Sequence, residues 1–229
     1  MRREKGHGSD GRGNRVSVII PVYRCIPYVS ATLQSVLDQT RSVDEIILVD
    51  DCGGDESISI ACAFLDERHI KYHVVTHPVN RGPGPARNSG LAAATGELIW
   101  FLDADDVADA QFIEKLAGAL EDGDGADFAV CRTHRVDEDG VVLGVDEPSY
   151  PTHSLSGQEF ARLLLRGDAK AYPCTKLFRR DILGDRPWDE DRKYEDIAAT
   201  FRLAMKARTL PGTTTERSGF PSADARRRQ

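Results

Sequence analysis

The chain has no CxxC pair and no HExxH spacing, and these absences exclude two common chemistries. Its five cysteines, Cys25, Cys52, Cys62, Cys131 and Cys174, are odd in number and scattered. They indicate neither a disulfide framework nor a zinc site and read instead as small buried residues. The six histidines, His7, His69, His73, His77, His134 and His153, give no local support to zinc or Ser-His-Asp chemistry. No apolar run approaches the length of a membrane span, and the N-terminus lacks an apolar signal-peptide core. Lys and Arg number 30 against 37 Asp and Glu, and the net charge of -7 argues against a general nucleic-acid binder, which needs a basic face. A cytoplasmic protein is expected. No GxGxxG follows the first apolar segment, where Pro21-Val22-Tyr23 stands instead, so a nicotinamide dehydrogenase is disfavoured.

What is present is a globular composition, 40% hydrophobic and 29% charged over 229 residues, enough for one sizeable core. Residues 1–14, rich in Gly, Arg and Lys, are expected to be a disordered leader, and the polar residues 209–229 a disordered tail. Between them, strands expected at 16–20, 45–49, 70–75 and 98–102 alternate with helices at 27–38, 55–66 and 83–94. Pro85 is acceptable in the first turn of the third helix, and Gly96 lies just beyond its end. Strands and helices alternating at this length imply an α/β fold with a mainly parallel central sheet flanked by helices. The second half is less regular. It carries a helix over 111–120, a strand over 127–131, a hairpin around the DEDG turn, and a capping box of Ser156 with Glu159. A short extended piece over 174–178 precedes a helix over 195–206, with Ile197, Phe201, Ala204 and Met205 on one face.

The segment GELIWFLDADD, residues 96–106, ends a buried apolar run in three carboxylates. Ligands of open α/β sheets gather at that end of the strands. If the chain stays extended, Asp103 and Asp105 point to one side and Asp106 turns away. Two aligned carboxylates suit a hard divalent cation with positions open for phosphate oxygens. The same cluster also suits a plain turn with helix caps, and Asp109 reads as such a cap.

Four segments, in order, resemble the family 2 glycosyltransferases of the GT-A fold. They are VSVIIPVYRCIPYVSATLQSVLDQT (16–40), EIILVDDCGGDES (45–57), NRGPGPARNSGLAAATGELIWFLDADD (80–106), and KLFRRDIL (176–183) followed by YED (194–196). The resemblance implies a GT-A domain over residues 15–208, with a donor-binding half (15–106) and an acceptor half (107–208). It implies an enzyme moving a sugar from a UDP-sugar to an acceptor hydroxyl, usually with inversion and with Mg²⁺ or Mn²⁺. A glycan or lipid-linked acceptor, peripheral association with the inner face of the membrane, and a place in cell-surface glycan or polysaccharide synthesis follow by analogy.

Carried over residue by residue, Asp103 and Asp105 match the metal motif, with Asp105 as the direct ligand and Asp106 in support. Asp51 matches the residue that recognises the base, and an acidic acceptor pairs well with the N–H of uracil. Pro21 and Tyr23 resemble the loop lining the nucleoside, with the Tyr23 ring available for stacking or simply for packing. Arg87, and less so Arg81, match donor-binding positions, since a planar fork serves a phosphate or a base. Inversion needs a base for the acceptor proton, and the Glu195-Asp196 pair stands where the family keeps it. Adjacent helical residues point ~100° apart, so one of the two faces the reacting centre. The helix projection places Glu195 near Arg202, which favours Asp196. Lys176 matches a position that could hold a donor phosphate or an acceptor, with an ordinary exposed lysine as the alternative.

Family members usually continue past the acidic helix with another strand and a segment closing the acceptor side. Here a polar stretch follows, so the resemblance is to a member truncated at its C-terminus. A non-catalytic sugar-nucleotide-binding remnant is the alternative reading.

Overall fold

The computed structural model of the chain describes residues 14–123, 125–136, 142–145, 153–190 and 194–211. The expected leader up to residue 13, the DEDG turn and residues 212–229 lie outside them. The first half runs Val16–Val22 (β1), Val29–Leu37 (α1), Glu45–Asp50 (β2), Ser57–Asp66 (α2), His73–Thr76 (β3), Pro83–Ala93 (α3) and Leu98–Phe101 (β4). The second continues through Phe112–Asp122 (α4), Phe128–Val130 (β5), His134–Val136 (β6), Val142–Val145 (β7), Leu155–Ser156 (β8) and Gly157–Arg166 (α5). A 3-10 turn at Pro173–Thr175 leads into Lys176–Arg179 (β9), Arg180–Leu183 (α6), Glu195–Lys206 (α7) and Thr209–Leu210 (β10).

The central sheet has the order β3-β2-β1-β4-β9-β5. β1 pairs in parallel with β2 and β4, and β2 with β3. Only β9 runs against its neighbours β4 and β5, so the sheet is mainly parallel. Helices cover both faces, and the strand residues divide accordingly. Val18, Ile20, Leu48, Leu98 and Trp100 face the layer of α1, α2 and α4. Ile19, Ile47, Val49, Ile99 and Phe101 face that of α3, α5 and α7. The close seat of α3 depends on Gly90, because a methyl group there would collide with the Ile19 side chain.

Two expectations change in the second half. α7 has the expected bounds, but it packs through Ala199, Thr200, Leu203 and Ala204, while Ile197 is 58% and Met205 49% exposed. Small residues are needed there because α5 approaches closely: a side chain on Gly157 would meet the carbonyls of Ala204 and Ala207. The tail boundary also shifts. Thr209 and Leu210 form β10, antiparallel to β8, and Leu210 is buried, so the ordered fold passes the expected end at 208. A two-residue strand thus follows the acidic helix, where the sequence predicts only a polar stretch.

Candidate active site

The carboxyl ends of β1, β2 and β4 lie at one edge of the sheet, and the loops leaving them carry Tyr23, Asp51 and Asp103. Antiparallel β9 adds its first residue to the same edge, since Leu177 is the register partner of Trp100. That register brings Cys174 beside the acidic segment. Trp100 Nε1 donates to the Cys174 carbonyl at 3.1 Å, and one end of the apolar run is thereby fixed.

The acidic segment is a turn, which corrects the extended geometry expected for it. Asp106 N donates to the Asp103 carbonyl at 3.0 Å, and this folds residues 103–106 back on themselves. Asp103 therefore shares a side with Asp106 rather than with Asp105. Ligand atoms of Asp103, Asp106 and Cys174 all lie within 4.8 Å of one another. Burial, reinforced by the charges of Asp106 and Asp103, pushes the Cys174 thiol well above its usual range, so it is a thiol that hydrogen-bonds Asp106. Asp105 is half-exposed and turns toward the loop after β1, where its charge is felt by the Cys25 thiol.

Polar residues on α1 and just after it hold this turn. Thr32 Oγ1 donates to the Ala104 carbonyl at 2.9 Å, Ser35 Oγ accepts from Ala108 N at 3.2 Å, and Gln39 Nε2 donates to the Asp109 carbonyl at 2.7 Å. All three are buried. Asp109 accepts from Gln111 N at 2.9 Å in a turn ahead of α4, whose N-cap is Gln111 and carries no side-chain cap bond, so Asp109 is not the cap expected of it.

Arg87 departs from its expected place as a donor contact. It is only 4% exposed, and its fork spans two carboxylates: Nη2 to Asp103 Oδ1 and Nη1 to Glu195 Oε1, both at 2.7 Å. Burial works against the charge, but the two carboxylates outweigh it and hold the guanidinium firmly protonated. Its Nε is buried without a partner among the described residues, and the cation lies 5.6 Å from the Trp188 ring. Arg87 is thus the link between the acidic turn and the start of α7.

This link also corrects the projection of Glu195 toward Arg202, which pairs instead with Asp189 at 2.8 Å. Asp196 is half-buried. Desolvation, then the neighbouring Glu195 charge, raises its carboxyl above the usual aspartate range. Lys176 is not an exposed lysine. It is fully buried, and Nζ donates to the carbonyls of Lys170 and Tyr172, each at 2.8 Å, and to Thr175 Oγ1 at 3.0 Å.

At the end of β2, Asp51 is buried and heavily bonded. Oδ1 meets His77 Nδ1 at 2.7 Å and accepts from Arg81 N at 3.0 Å, while Oδ2 accepts from Gly82 N at 2.8 Å. His77 Nε2 lies 2.9 Å from Ser89 Oγ. No local spacing hints at this Ser-His-Asp chain, because its three members come from three different parts of the fold. Arg81, the weaker donor candidate, pairs with Glu190 at 3.1 Å. Pro21 sits within β1, and Tyr23 is 41% exposed with Arg24 stacked 5.2 Å from its ring. Sequence reasoning also missed Asn88 and Trp188. Asn88 Nδ2 donates to the Trp188 carbonyl at 2.8 Å and Oδ1 accepts from Trp188 N at 3.1 Å, which clips the loop before α7 onto α3. Only the place of Asn88 in the GPARN stretch pointed to it.

Comparison with known proteins gives the family. Residues 17–186 match the family described as Glycosyl transferase family 2, and the chain belongs to it. An uncharacterized glycosyltransferase of Nostoc sp. is 34% identical over 172 residues, covering 74% of this chain and 52% of that protein. Staphylococcus aureus TarS, solved with UDP, superposes with a TM-score of 0.73 at 22% identity, over 91% of this chain and 60% of that one. A mannosyltransferase from Pyrobaculum calidifontis, solved with GDP-Man and Mn²⁺, gives 0.64 at 21% identity, over 91% and 57%. Both structures share the GT-A fold with this chain. The chain spans about half to two-thirds of the length of three of the curated relatives it matches, and less of others. Among the described residues, no helix is long and apolar enough to cross a membrane.

Proposed function

We propose that this chain is an inverting, metal-dependent glycosyltransferase that moves a sugar from a UDP-sugar to an acceptor hydroxyl. The observation that carries this reading is the Arg87 fork, which ties the acidic turn at the donor end of the sheet to Glu195 at the head of α7. Donor and acceptor machinery are thereby held in one rigid frame, as bimolecular transfer needs.

The carboxylates at the turn fit a hard divalent cation. Asp105 would be the direct ligand of Mg²⁺ or Mn²⁺, which when bound supplies Lewis-acid stabilisation of the departing diphosphate, and Asp103, on the other side of the turn and held by Arg87, would support it. Asp106 is engaged by the Cys174 thiol and keeps the turn in shape. Asp51 accepts an N–H of the base, and Pro21 and Tyr23 line the nucleoside. Glu195 is committed to Arg87, so Asp196 takes the acceptor proton. Its raised carboxyl is a stronger base than an ordinary aspartate. The acceptor is a glycan or lipid-linked hydroxyl. The protein works in the cytoplasm or peripherally at the inner face of the membrane, in making a cell-surface glycan or polysaccharide.

Asp196→Asn tests the base. Donor binding by calorimetry is expected to be unchanged while transfer falls about 100-fold or more, the usual worth of a general base. Transfer in the wild type should also decline as pH drops through the raised carboxyl value, where the base becomes protonated. The sign for stability is the reverse of the common aspartate case. A raised value means that the charged form burdens the fold, and the burden is present at neutral pH and is relieved on acidification. Asp196→Asn should therefore melt no lower than wild type at pH 7, with the difference closing at low pH. Equal transfer rates in the two proteins would remove Asp196 from the mechanism.

A further inference from the structure

We infer that His77 sets the base specificity of the donor site, by filling an acceptor position on Asp51 that a second ligand N–H would need. The inference rests on the proposed reading of Asp51 as the residue that meets the base.

A carboxylate offers about four lone-pair positions, two on each oxygen. On Asp51 Oδ1 both are taken, by His77 Nδ1 at 2.7 Å and by Arg81 N at 3.0 Å. On Oδ2 one is taken, by Gly82 N at 2.8 Å. Among the described residues that leaves one position, on Oδ2, for a ligand.

The occupancy by His77 is fixed from three sides. A carboxylate only accepts, so Nδ1 is the donor and the ring carries its proton there. Nε2 meets the Ser89 hydroxyl at 2.9 Å, which holds the ring orientation. The backbone of His77 is pinned by its own N–H on the Asp50 carbonyl at 2.9 Å, at the end of β2. The ring is buried, so water does not compete for it. Arg81 N and Gly82 N belong to the loop entering α3, and the Asn80 amide on the Asp51 carbonyl at 3.3 Å steadies that loop.

The chemistry of the bases then decides. Uracil presents a single N–H between two carbonyls, and one open acceptor position satisfies it. Guanine presents a ring N–H beside an exocyclic amine and meets a carboxylate through both oxygens. With Oδ1 filled, one guanine donor enters the site without a partner, at a cost of about 10- to 100-fold in affinity. His77 acts on selectivity through Asp51.

The test is calorimetric titration of UDP and of GDP, with Mn²⁺, into the full chain and into His77→Leu and His77→Asn. Wild type is expected to favour UDP. His77→Leu frees a position on Oδ1 and should narrow the UDP-to-GDP ratio about tenfold, chiefly by tightening GDP. His77→Asn should keep the wild-type ratio, because its amide nitrogen stands where Nδ1 stands. An unchanged ratio in His77→Leu, with UDP binding retained, overturns the inference. If His77→Leu does not fold, the wild type decides through inosine diphosphate, which lacks the exocyclic amine. It should bind at least as tightly as GDP, and GDP binding about tenfold tighter would overturn the inference. Asp51→Asn separates the two levels. Unchanged UDP affinity there removes the base-reading role of Asp51 and the inference with it. A loss there together with an unchanged ratio in His77→Leu removes the inference alone.

Discussion

Replacing Arg87 by methionine is expected to lower stability by about 3–5 kcal/mol and to abolish transfer, the largest effect of any single change in the site. The guanidinium is buried and answers Asp103 and Glu195 at 2.7 Å each, so its removal leaves the largely buried Glu195 and the part-exposed Asp103 without their shared cation. The pairing itself need not be worth that much, since bringing a cation out of water cancels much of the attraction. The cost arises because only one side of the arrangement is deleted. Arg87→Lys should rescue little, because an ammonium cannot span two carboxylates as a planar fork does. Thermal melting of the two variants checks this. A Tm for Arg87→Met equal to that of wild type would show that the bridge does not organise the site.

The second large effect is expected at the acidic turn, and it should divide its three carboxylates by role. Asp105→Ala should weaken metal-dependent UDP binding by at least about 100-fold, because even groups that merely support a metal ligand are worth about 10- to 100-fold. Its melting temperature should be close to that of wild type, since Asp105 is half-exposed. Asp106→Ala should show the opposite pattern. The Asp106 carboxylate is buried against the Cys174 thiol, so its loss should cost stability more than affinity. A reversal, with Asp106→Ala losing metal-dependent binding and Asp105→Ala retaining it, would assign the cation to the Asp103, Asp106 and Cys174 group.

Most of the fold was legible because its signals are local. Apolar runs ending in Pro21, Asp51 and Asp103 marked the strands. The capping box at Ser156 and Glu159 is formed as written, with Glu159 N donating to Ser156 Oγ at 3.3 Å and Ser156 N to Glu159 Oε2 at 2.8 Å. The packing face of α7 was misjudged for a physical reason. Periodicity favours large apolar residues, whereas a close helix contact selects alanine and threonine and leaves Ile197 and Met205 outside.

The site was legible as a set of positions but not as a set of contacts. Asp51, Arg87, Asp103 and Glu195 stand at the edge of the sheet where the motifs implied, yet Arg87 proved to be their internal counter-ion. No spacing rule relates Arg87 to Glu195, which are 108 positions apart. His77 and Ser89 were missed for the same reason, since nothing local distinguishes them until β2, β3 and α3 bring them to Asp51. The turn at Asp103 is a smaller case. A run of alternating carboxylates reads as extended, and one backbone hydrogen bond from Asp106 to Asp103 reverses which of them share a side.

The measurement that bears most directly on the proposed function is calorimetric titration of UDP into the purified full chain, first with Mn²⁺ and then with EDTA, with GDP as the control. The account predicts binding that requires the metal and prefers UDP. A folded chain that binds neither nucleotide, or binds UDP equally well in EDTA, would contradict it.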